Sequence, residues 1–339
     1  MSGRETVFIT GANGFIGSSL CAYFLQRGFE VHGLVRSGSD LHFLEGLDVR
    51  LVYGDLLHPE EISLPPGMHY IIHSASIVSD TADEEQSRLN ILQLAVNLVE
   101  KILASREAGQ QLKKFIYIST ALTLGFNACD IREDNPGPSG HELPYTRFKK
   151  KTEEYILRQA REKGLPAVIF RPADVYGPRD RTSCALMLKA CEKGVPLIVG
   201  HGNWLFGFCY IDNLCLATYL ACLKEGITGR CYTITNDHPI TWKEFFSGLQ
   251  RGLNRLQRIY LPVSLAYSVA SLFWFIHKLV PHFKPTITHY RIKRITTHTT
   301  YDISQTITDL EYVPEKNNPR QVQSIVDWYL QEKTNGCIK

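Results

Sequence analysis

Through the first two thirds of the chain, apolar residues come in short unbroken runs, most of them followed by apolar positions at helical spacing. Thr6–Thr10, Glu30–Val35, Val49–Tyr53, His69–His73, Phe115–Ser119 and Val168–Arg171 are rich in β-branched and aromatic residues. Each is the length of a buried strand. Between them, Ser18–Arg27 places Leu20, Tyr23 and Phe24 at helical spacing. A long helix is predicted over Asp83–Glu107, with Leu89, Leu92, Val96, Val99 and Ile102 among its apolar positions. Another is predicted over Thr146–Glu162, where Pro144 suits a helix start. Strands alternating with helices predict an α/β fold on a doubly wound parallel sheet, with ligands at the C-terminal ends of the strands.

The 339 residues can hold one large α/β domain and a smaller lobe. A net charge of +3 gives no reason to expect nucleic acid. Nine cysteines are scattered without a C-x-x-C pair or a metal-like Cys/His spacing, so no metal is expected. Cys21, Cys184, Cys191, Cys215 and Cys222 lie in apolar helical stretches and read as small core residues. The odd, unpatterned count predicts a reducing compartment, the cytoplasm. Met-Ser-Gly-Arg-Glu runs straight into the first strand, and no signal peptide is expected.

Candidate chemistry begins at the first strand–helix turn. Gly11, Gly14 and Gly17 follow the strand at G-x-x-G-x-x-G spacing. Glycine permits a sharp turn and close approach of backbone to a pyrophosphate, which the following helix N-terminus then faces with its dipole. In strand–turn–helix context this is a dinucleotide site on a Rossmann-like sheet. At the end of the second strand, where an NAD site usually has Asp or Glu, stands Arg36, followed by Ser37, Gly38 and Ser39. A guanidinium suits a 2′-phosphate, so NADP(H) is favoured over NAD(H), an exposed loop arginine being the alternative. Tyr145 and Lys149 are four residues apart, hence on one helix face. The lysine ammonium is expected to lower the tyrosine's pKa and to hold a ribose hydroxyl. Thr120, ending the fifth strand, is placed to hydrogen-bond the same substrate oxygen as Tyr145.

These stretches, together with Gly54-Asp55-Leu56, His73-Ser74-Ala75-Ser76, Asn90, Ile118-Ser119-Thr120-Ala121, Arg171-Pro172-Ala173-Asp174-Val175-Tyr176-Gly177-Pro178 and Tyr210-Ile211-Asp212-Asn213-Leu214, run in one order over about two thirds of the chain. In that order the chain resembles the extended short-chain dehydrogenase/reductases, the family of sugar-nucleotide epimerases and 3β-hydroxysteroid dehydrogenases. The resemblance implies that Gly11, Gly14 and Ile16 face the pyrophosphate, and it places Asn13, Phe15 and Gly17 in the same turn. It implies that Asp55 and Leu56 hold the adenine. Ser74 and Ala75, with Ser76 and Ser119, would line the nicotinamide side. Pro172 and Val175 would pack near the carboxamide. Thr120, Tyr145 and Lys149 would be the catalytic triad. Leu122-Thr123-Leu124-Gly125 lacks the Val-Tyr-Gly common in the epimerases. The family commonly forms homodimers through a four-helix bundle, here from Asp83–Glu107 and Thr146–Glu162.

The expected division is a dinucleotide-binding part over 1–178, to which 205–236 returns, and a mostly helical substrate lobe from 179–204 and 237–339. In the lobe, Arg179 and Arg181 read as an anion site or as a solvated loop. From Leu261 to Ile276 no residue is charged, and Leu265, Val269, Leu272, Ile276 and Leu279 form one apolar stripe within Ile259–Val280. Basic residues flank it: Arg255 and Arg258 before, Lys278, His282, Lys284, Arg291, Lys293 and Arg294 after. Three readings follow: a core helix or lid of the lobe, a peripheral contact with a membrane interface, or a membrane span for which the stretch is short. The aromatic-rich lobe and Pro239–Phe246, similar to the 3β-hydroxysteroid dehydrogenase branch, imply a hydrophobic substrate. The reading is an NADP(H)-dependent oxidoreductase acting on a steroid-like or β-keto compound. Its rivals are a nucleotide-sugar epimerase or dehydratase with NAD, using Arg179, Arg181 and Asn203, and a non-catalytic cofactor-sensing protein.

Overall fold

Runs that are apolar at every position can only bury on both faces, and the sheet they build is the middle of the molecule. The computed structural model describes residues 4–107, 112–195, 198–255, 260–280, 285 and 287–338. Strands β1 (Thr6–Thr10), β2 (Glu30–Val35), β3 (Val49–Tyr53), β4 (Tyr70–His73), β5 (Lys114–Ile118), β6 (Ala167–Pro172) and β7 (Cys231–Ile234) pair in the order β7-β6-β5-β4-β1-β2-β3. All six pairings are parallel. Every residue of β1, β4, β5 and β6 is buried, whereas the edge strand β3 is only partly covered.

The chain winds outward from β1 to β3 and then crosses back to β4, which pairs with β1 on the other side. That reversal opens a crevice at the carboxyl ends of β1 and β4, where an open α/β sheet binds its ligands. Helices cover both faces and divide the core in two. α1 (Phe15–Gln26) brings Leu20, Cys21 and Phe24 onto one face, beside Leu214 and Ala217. α2 (Leu94–Glu107) and α3 (Pro144–Lys163) bring Leu98, Val99, Ile102 and Ile156 onto the other. α4 (Ile211–Leu223) follows directly on the strand Phe208–Tyr210. The five cysteines expected in the core are all buried.

The helix expected over Asp83–Glu107 runs unbroken from Glu84 to Glu107 but changes pitch within it. A short α-turn, Glu84–Ser87, capped by the Asp83 carboxylate, runs into a π-helical turn over Arg88–Gln93 before α2 begins. A π-turn breaks the regular i→i−4 ladder. Here the Asn90 carbonyl accepts from the Ile77 N–H at 3.4 Å, and the Asn90 amide donates to the Gln86 carbonyl at 2.9 Å. The irregularity thus ties the loop after β4 to the helix that follows.

The C-terminal part adds a four-stranded sheet in the order Ile240–Thr241, Leu205–Phe206, Thr299–Tyr301, Ala128–Ile131. The last strand comes from the segment assigned by sequence to the dinucleotide-binding part, so the lobe grips it. α5 (Trp242–Gly252), closed by a Thr241–Glu244 capping box, packs Phe245 and Trp242 on Phe208 at 4.6 and 5.7 Å between ring centroids. α6 (Val263–Leu279) and α7 (His289–Ile295) follow, and α8 (Pro319–Thr334) ends the fold. The α6 stripe, read as a core or lid face, a membrane contact or a short span, faces largely outward: Leu265, Leu272 and Leu279 are exposed and Val269 and Ile276 half-buried, while Ala266 and Ala270 are buried against Val199 and Ile292. Small residues let the helix backbone approach its neighbours, with Val263 and Tyr267 packed beside them. Ile259, Arg258, His282 and Lys284, part of that reading, lie outside the described residues.

Candidate active site

The crevice starts from a turn that only glycine can make. Gly11 has φ +66°, and a Cβ there would sit 2.9 Å from the Ala75 Cα; at Gly17 it would sit 2.1 Å from the Gly11 carbonyl oxygen. The turn, the start of α1 and the loop after β4 are therefore in backbone contact. Thr10 fastens them: its hydroxyl lies 2.7 Å from His73 Nδ1, its carbonyl accepts from Ser74 Oγ at 2.7 Å, and Ala75 N–H reaches its Oγ1 at 3.3 Å. No side chain caps α1, and its first turn holds no acidic residue. Its leading N–H groups, at Phe15 and Ile16, thus face the crevice beside Gly14, a donor set that suits a pyrophosphate. Asn13 donates to the Asp40 carbonyl at 3.2 Å, and Ser76 Oγ to the Ile77 carbonyl at 3.1 Å.

At the outer end of the crevice is an open cavity of about 450 Å³ lined by Arg36, Ser37, Ser39, Asp55 and Glu61. The Arg36 side chain is exposed and makes no hydrogen bond or ion pair among the described residues. The Asp55 carboxylate accepts from Leu57 N–H at 2.9 Å, and Leu56 is buried with its carbonyl bonded to Asn97 at 2.6 Å. These residues fit a dinucleotide: a glycine-only turn, an uncapped helix start and an unpartnered guanidinium lie along one crevice.

The inner end is dry. Tyr145, Lys149 and Glu153 recur every four residues on α3 and are all buried, so one helical stripe faces the ends of β5 and β6. Pro144 at the first helical position presets the backbone for this start. The Tyr145 ring packs with Ile91 and Phe148, with Ile77, Leu92 and Leu122 around them. Its hydroxyl is turned toward the Thr120 side chain. Thr120 begins the turn Ala121–Leu124 and accepts from the Leu122 N–H at 3.3 Å. Burial holds the Tyr145 pKa well above the ordinary phenol value; Tyr290 and Asp174 push the same way, Thr120 and Arg294 against.

Lys149 lies one turn further along the same stripe. Its Nζ donates to the Ile118 carbonyl at 2.8 Å and lies 4.9 Å from the centre of the Tyr117 ring. Burial pushes Lys149 itself down to about 7, with the Glu153 carboxylate opposing. A cation acting on Tyr145 is Arg294 of α7, a residue whose role nothing in the sequence marks. Arg294 is buried, ion-paired to Asp174, and lies 5.3 and 5.0 Å from the centres of the Phe126 and Phe206 rings. α7 is pinned at its other end by Arg291, whose guanidinium bonds Asp80 at 2.8 and 2.7 Å.

Three expected site residues are used differently. Ser119 donates its hydroxyl to Glu153 and its N–H to the Phe170 carbonyl, which leaves its carbonyl for a ligand. Arg179 donates to the Ser18 carbonyl at 2.8 Å, and Arg181 bonds Asp40 and Glu332 at 2.7 and 3.2 Å. Both arginines brace the fold, as neither an anion site nor a solvated loop would. Pro172 closes β6, and Val175 pairs with Cys209 in the short strand Asp174–Tyr176. Sequence reasoning missed Glu153, which binds Arg171 at 3.0 and 2.7 Å and Thr123 at 3.1 Å. Its spacing from Lys149 was the signal. It also missed a use for His73, which burial, with Lys149's charge, pushes down to about 3.

Residues 7–235 match the model of the NAD dependent epimerase/dehydratase family. The chain is 28% identical over 324 residues to a 2-alkyl-3-oxoalkanoate reductase of Shewanella oneidensis, covering 90% of this chain and 81% of that protein. It is 25% identical over 347 residues to a decarboxylating sterol-4-alpha-carboxylate 3-dehydrogenase of Candida albicans, covering 96% and 97%. The fold matches UDP-glucuronic acid 4-epimerase from Bacillus cereus with a TM-score of 0.74 at 22% identity, over 96% of this chain and 99% of that one.

Proposed function

The chain belongs to the NAD dependent epimerase/dehydratase family, as an extended short-chain dehydrogenase/reductase of the 3β-hydroxysteroid dehydrogenase-like branch and an NAD(P)-dependent oxidoreductase; we propose that it uses NADP(H) to interconvert a secondary alcohol and a ketone on a hydrophobic, sterol-like or β-keto substrate. The observation that carries this reading is the buried Tyr145–Thr120 hydroxyl pair, walled by Ile77, Ile91, Leu92, Leu122 and Phe148. A polar donor pair in an apolar wall fits a carbonyl on a greasy skeleton.

The glycine turn and the start of α1 would hold the pyrophosphate, Asp55 and Leu56 the adenine, and Arg36 the 2′-phosphate. Ser74, Ala75, Pro172 and Val175 would line the nicotinamide. Bound nicotinamide supplies or accepts the hydride. Tyr145, kept protonated by burial, donates its phenolic proton to the carbonyl oxygen, and Thr120 orients that oxygen. Oxidation runs the same proton the other way. Lys149, in its ammonium form, supports the phenolate that remains after transfer. The nucleotide-sugar alternative is weakened because Arg179 and Arg181 are spent inside the fold. NAD(H) is a second reading of the cofactor, favoured by Asp55 and Glu61 in the Arg36 cavity. The subunit is proposed to pair through α2 and α3 as a homodimer, which light scattering would check.

The test follows nicotinamide absorbance with NADPH or NADH against a panel of 3-oxosteroids, 3-oxo acids and nucleotide sugars. Turnover of an apolar ketone, faster with NADPH, supports the reading. Turnover of nucleotide sugars alone would overturn it.

A further inference from the structure

The last helix, α8, ends by folding back on itself. Gly336 has φ +73°, its N–H bonds the Lys333 carbonyl at 3.1 Å, and the Cys337 N–H bonds the Glu332 carbonyl at 2.9 Å. These are the two bonds of a Schellman motif, which frequently sets an apolar contact between the residues its outer bond joins. Here those residues are a thiol and a carboxylate. Across from them stands His42, on the turn His42–Leu44 after β2. Its Nε2 lies 2.8 Å from Glu332 Oε1, a contact across 290 residues of sequence. One side-chain ligand atom from each of His42, Glu332 and Cys337 lies within 4.8 Å of the other two.

A nitrogen, an oxygen and a sulfur suit Zn²⁺, which binds them at about 2.0–2.3 Å, whereas Mg²⁺ and Ca²⁺ take oxygen. Tetrahedral ligands at those bond lengths stand about 3.5 Å apart, so an ion between these atoms asks for shifts of about 1 Å. The groups behind them are placed as the supports of metal ligands are. Arg181 donates to the other Glu332 oxygen at 3.2 Å, which leaves Oε1 for an ion. His42 Nδ1 lies 3.8 Å from Glu45 Oε2, so a proton on Nδ1 faces a carboxylate and Nε2 keeps its lone pair. The Asp40 carboxylate accepts from the His42 N–H at 2.9 Å and from Arg181 at 2.7 Å, which fixes the turn. In this bonded cluster the carboxylates of Asp40, Glu45 and Glu332 meet the guanidinium of Arg181, and a dication offsets the negative surplus.

We propose that His42, Glu332 and Cys337 form a zinc site that fastens the end of α8 to the loop lining the Arg36 cavity. The sulfur binds as the Cys337 thiol gives its proton to solvent. His42 Nε2 and Glu332 Oε1 exchange their mutual contact for the ion, and water takes the fourth position. The loop so fastened carries Arg36, Ser37, Gly38 and Ser39, and its Asp40 carbonyl holds Asn13 at 3.2 Å. No metal-like spacing marks the site in the sequence, because the turn after β2 and the end of α8 meet only in the fold. Zinc uptake is read on the protein itself and does not depend on which substrate it turns over.

The test is titration of the reduced, chelator-treated full chain with Zn²⁺ against a chromophoric chelator, and with Co²⁺ followed by absorbance. The unaltered chain should take up Zn²⁺ that millimolar Mg²⁺ does not displace, melt at a higher temperature with it, and give with Co²⁺ the near-ultraviolet band of a thiolate ligand. Cys337→Ser and His42→Gln should each weaken Zn²⁺ about ten-fold or more and remove the rise in melting temperature. Cys337→Ser should also abolish the cobalt band. Cys129→Ser, at the other exposed cysteine, should leave uptake and band as they are. Cys337 is exposed and His42 partly so, and circular dichroism without metal should be the same in all of these variants. Three results overturn the proposal: no Zn²⁺ uptake by the unaltered chain; uptake that Cys337→Ser or His42→Gln leaves intact; or a cobalt complex without the thiolate band, which would make His42–Glu332 an ion pair and Cys337 a bystander.

Discussion

The two ends of the crevice are built on opposite principles. Around Tyr145, the hydroxyls and charges of Thr120, Lys149, Glu153 and Arg171 are buried and bonded to one another or to backbone. Around Arg36, the charges stand in water and the guanidinium has no partner among the described residues. Folding sets the first end, so its groups are already aimed before any ligand arrives. The second end is completed by what binds to it. Substitutions at the inner end should therefore change rate and pH profile, and those at the outer end should change cofactor choice and salt dependence.

The sharpest break in that contrast comes at Lys149. Lys149→Met keeps the stem and removes one hydrogen bond, to the Ile118 carbonyl. Its rate should fall roughly 100-fold or more, on the scale of a lost proton-transfer partner. A loss confined to cofactor KM would show that the inner end only binds. At the outer end, Arg36→Glu should weaken NADPH roughly ten-fold or more, the worth of a charge-assisted contact, and leave NADH almost unchanged. Affinity of the unaltered protein for NADPH should fall as salt rises, which isothermal titration at two ionic strengths would read.

Glu153→Gln probes how the buried charges speak to each other. Lys149 titrates at about 7, and Glu153 holds that value up. A rate that needs the ammonium is present below about pH 7 and lost as pH rises through it. Removing the carboxylate must move that loss to lower pH; a shift to higher pH would contradict the arrangement. The smallest effect concerns stability. His73 titrates near 6.5 when free and at about 3 when folded, because burial disfavours its cation. Its contribution is present above pH 6.5 and lost as pH falls toward 3. His73→Asn should flatten the acid side of a Tm–pH curve.

Much of the inner machinery was legible because it is local. Seven glycine-to-helix residues, 11–17, and the four-residue step from Tyr145 to Lys149 carry their geometry in their spacing. The same step points to Glu153, which spacing alone could have found. Tyr290, Arg294 and Asp80 were illegible, since they meet the site only through contacts across 120 to more than 200 residues of sequence. Periodicity found the α6 stripe but could not say which way it faced: the alanines opposite it, Ala266 and Ala270, turned out to be the packing surface. The π-turn at Arg88–Gln93 was hidden because its residues are ordinary helix formers, and it is the loop after β4 that uses the freed carbonyl.

The most direct test of the central claim is a single-turnover measurement of NADPH oxidation with a saturating apolar ketone, comparing the unaltered protein with Tyr145→Phe. The predicted result is a rate lower by ~10²–10⁴ in the variant, with NADPH bound as tightly as before. An unchanged rate in Tyr145→Phe would contradict the assignment of Tyr145 as the proton donor and with it the account of the inner end.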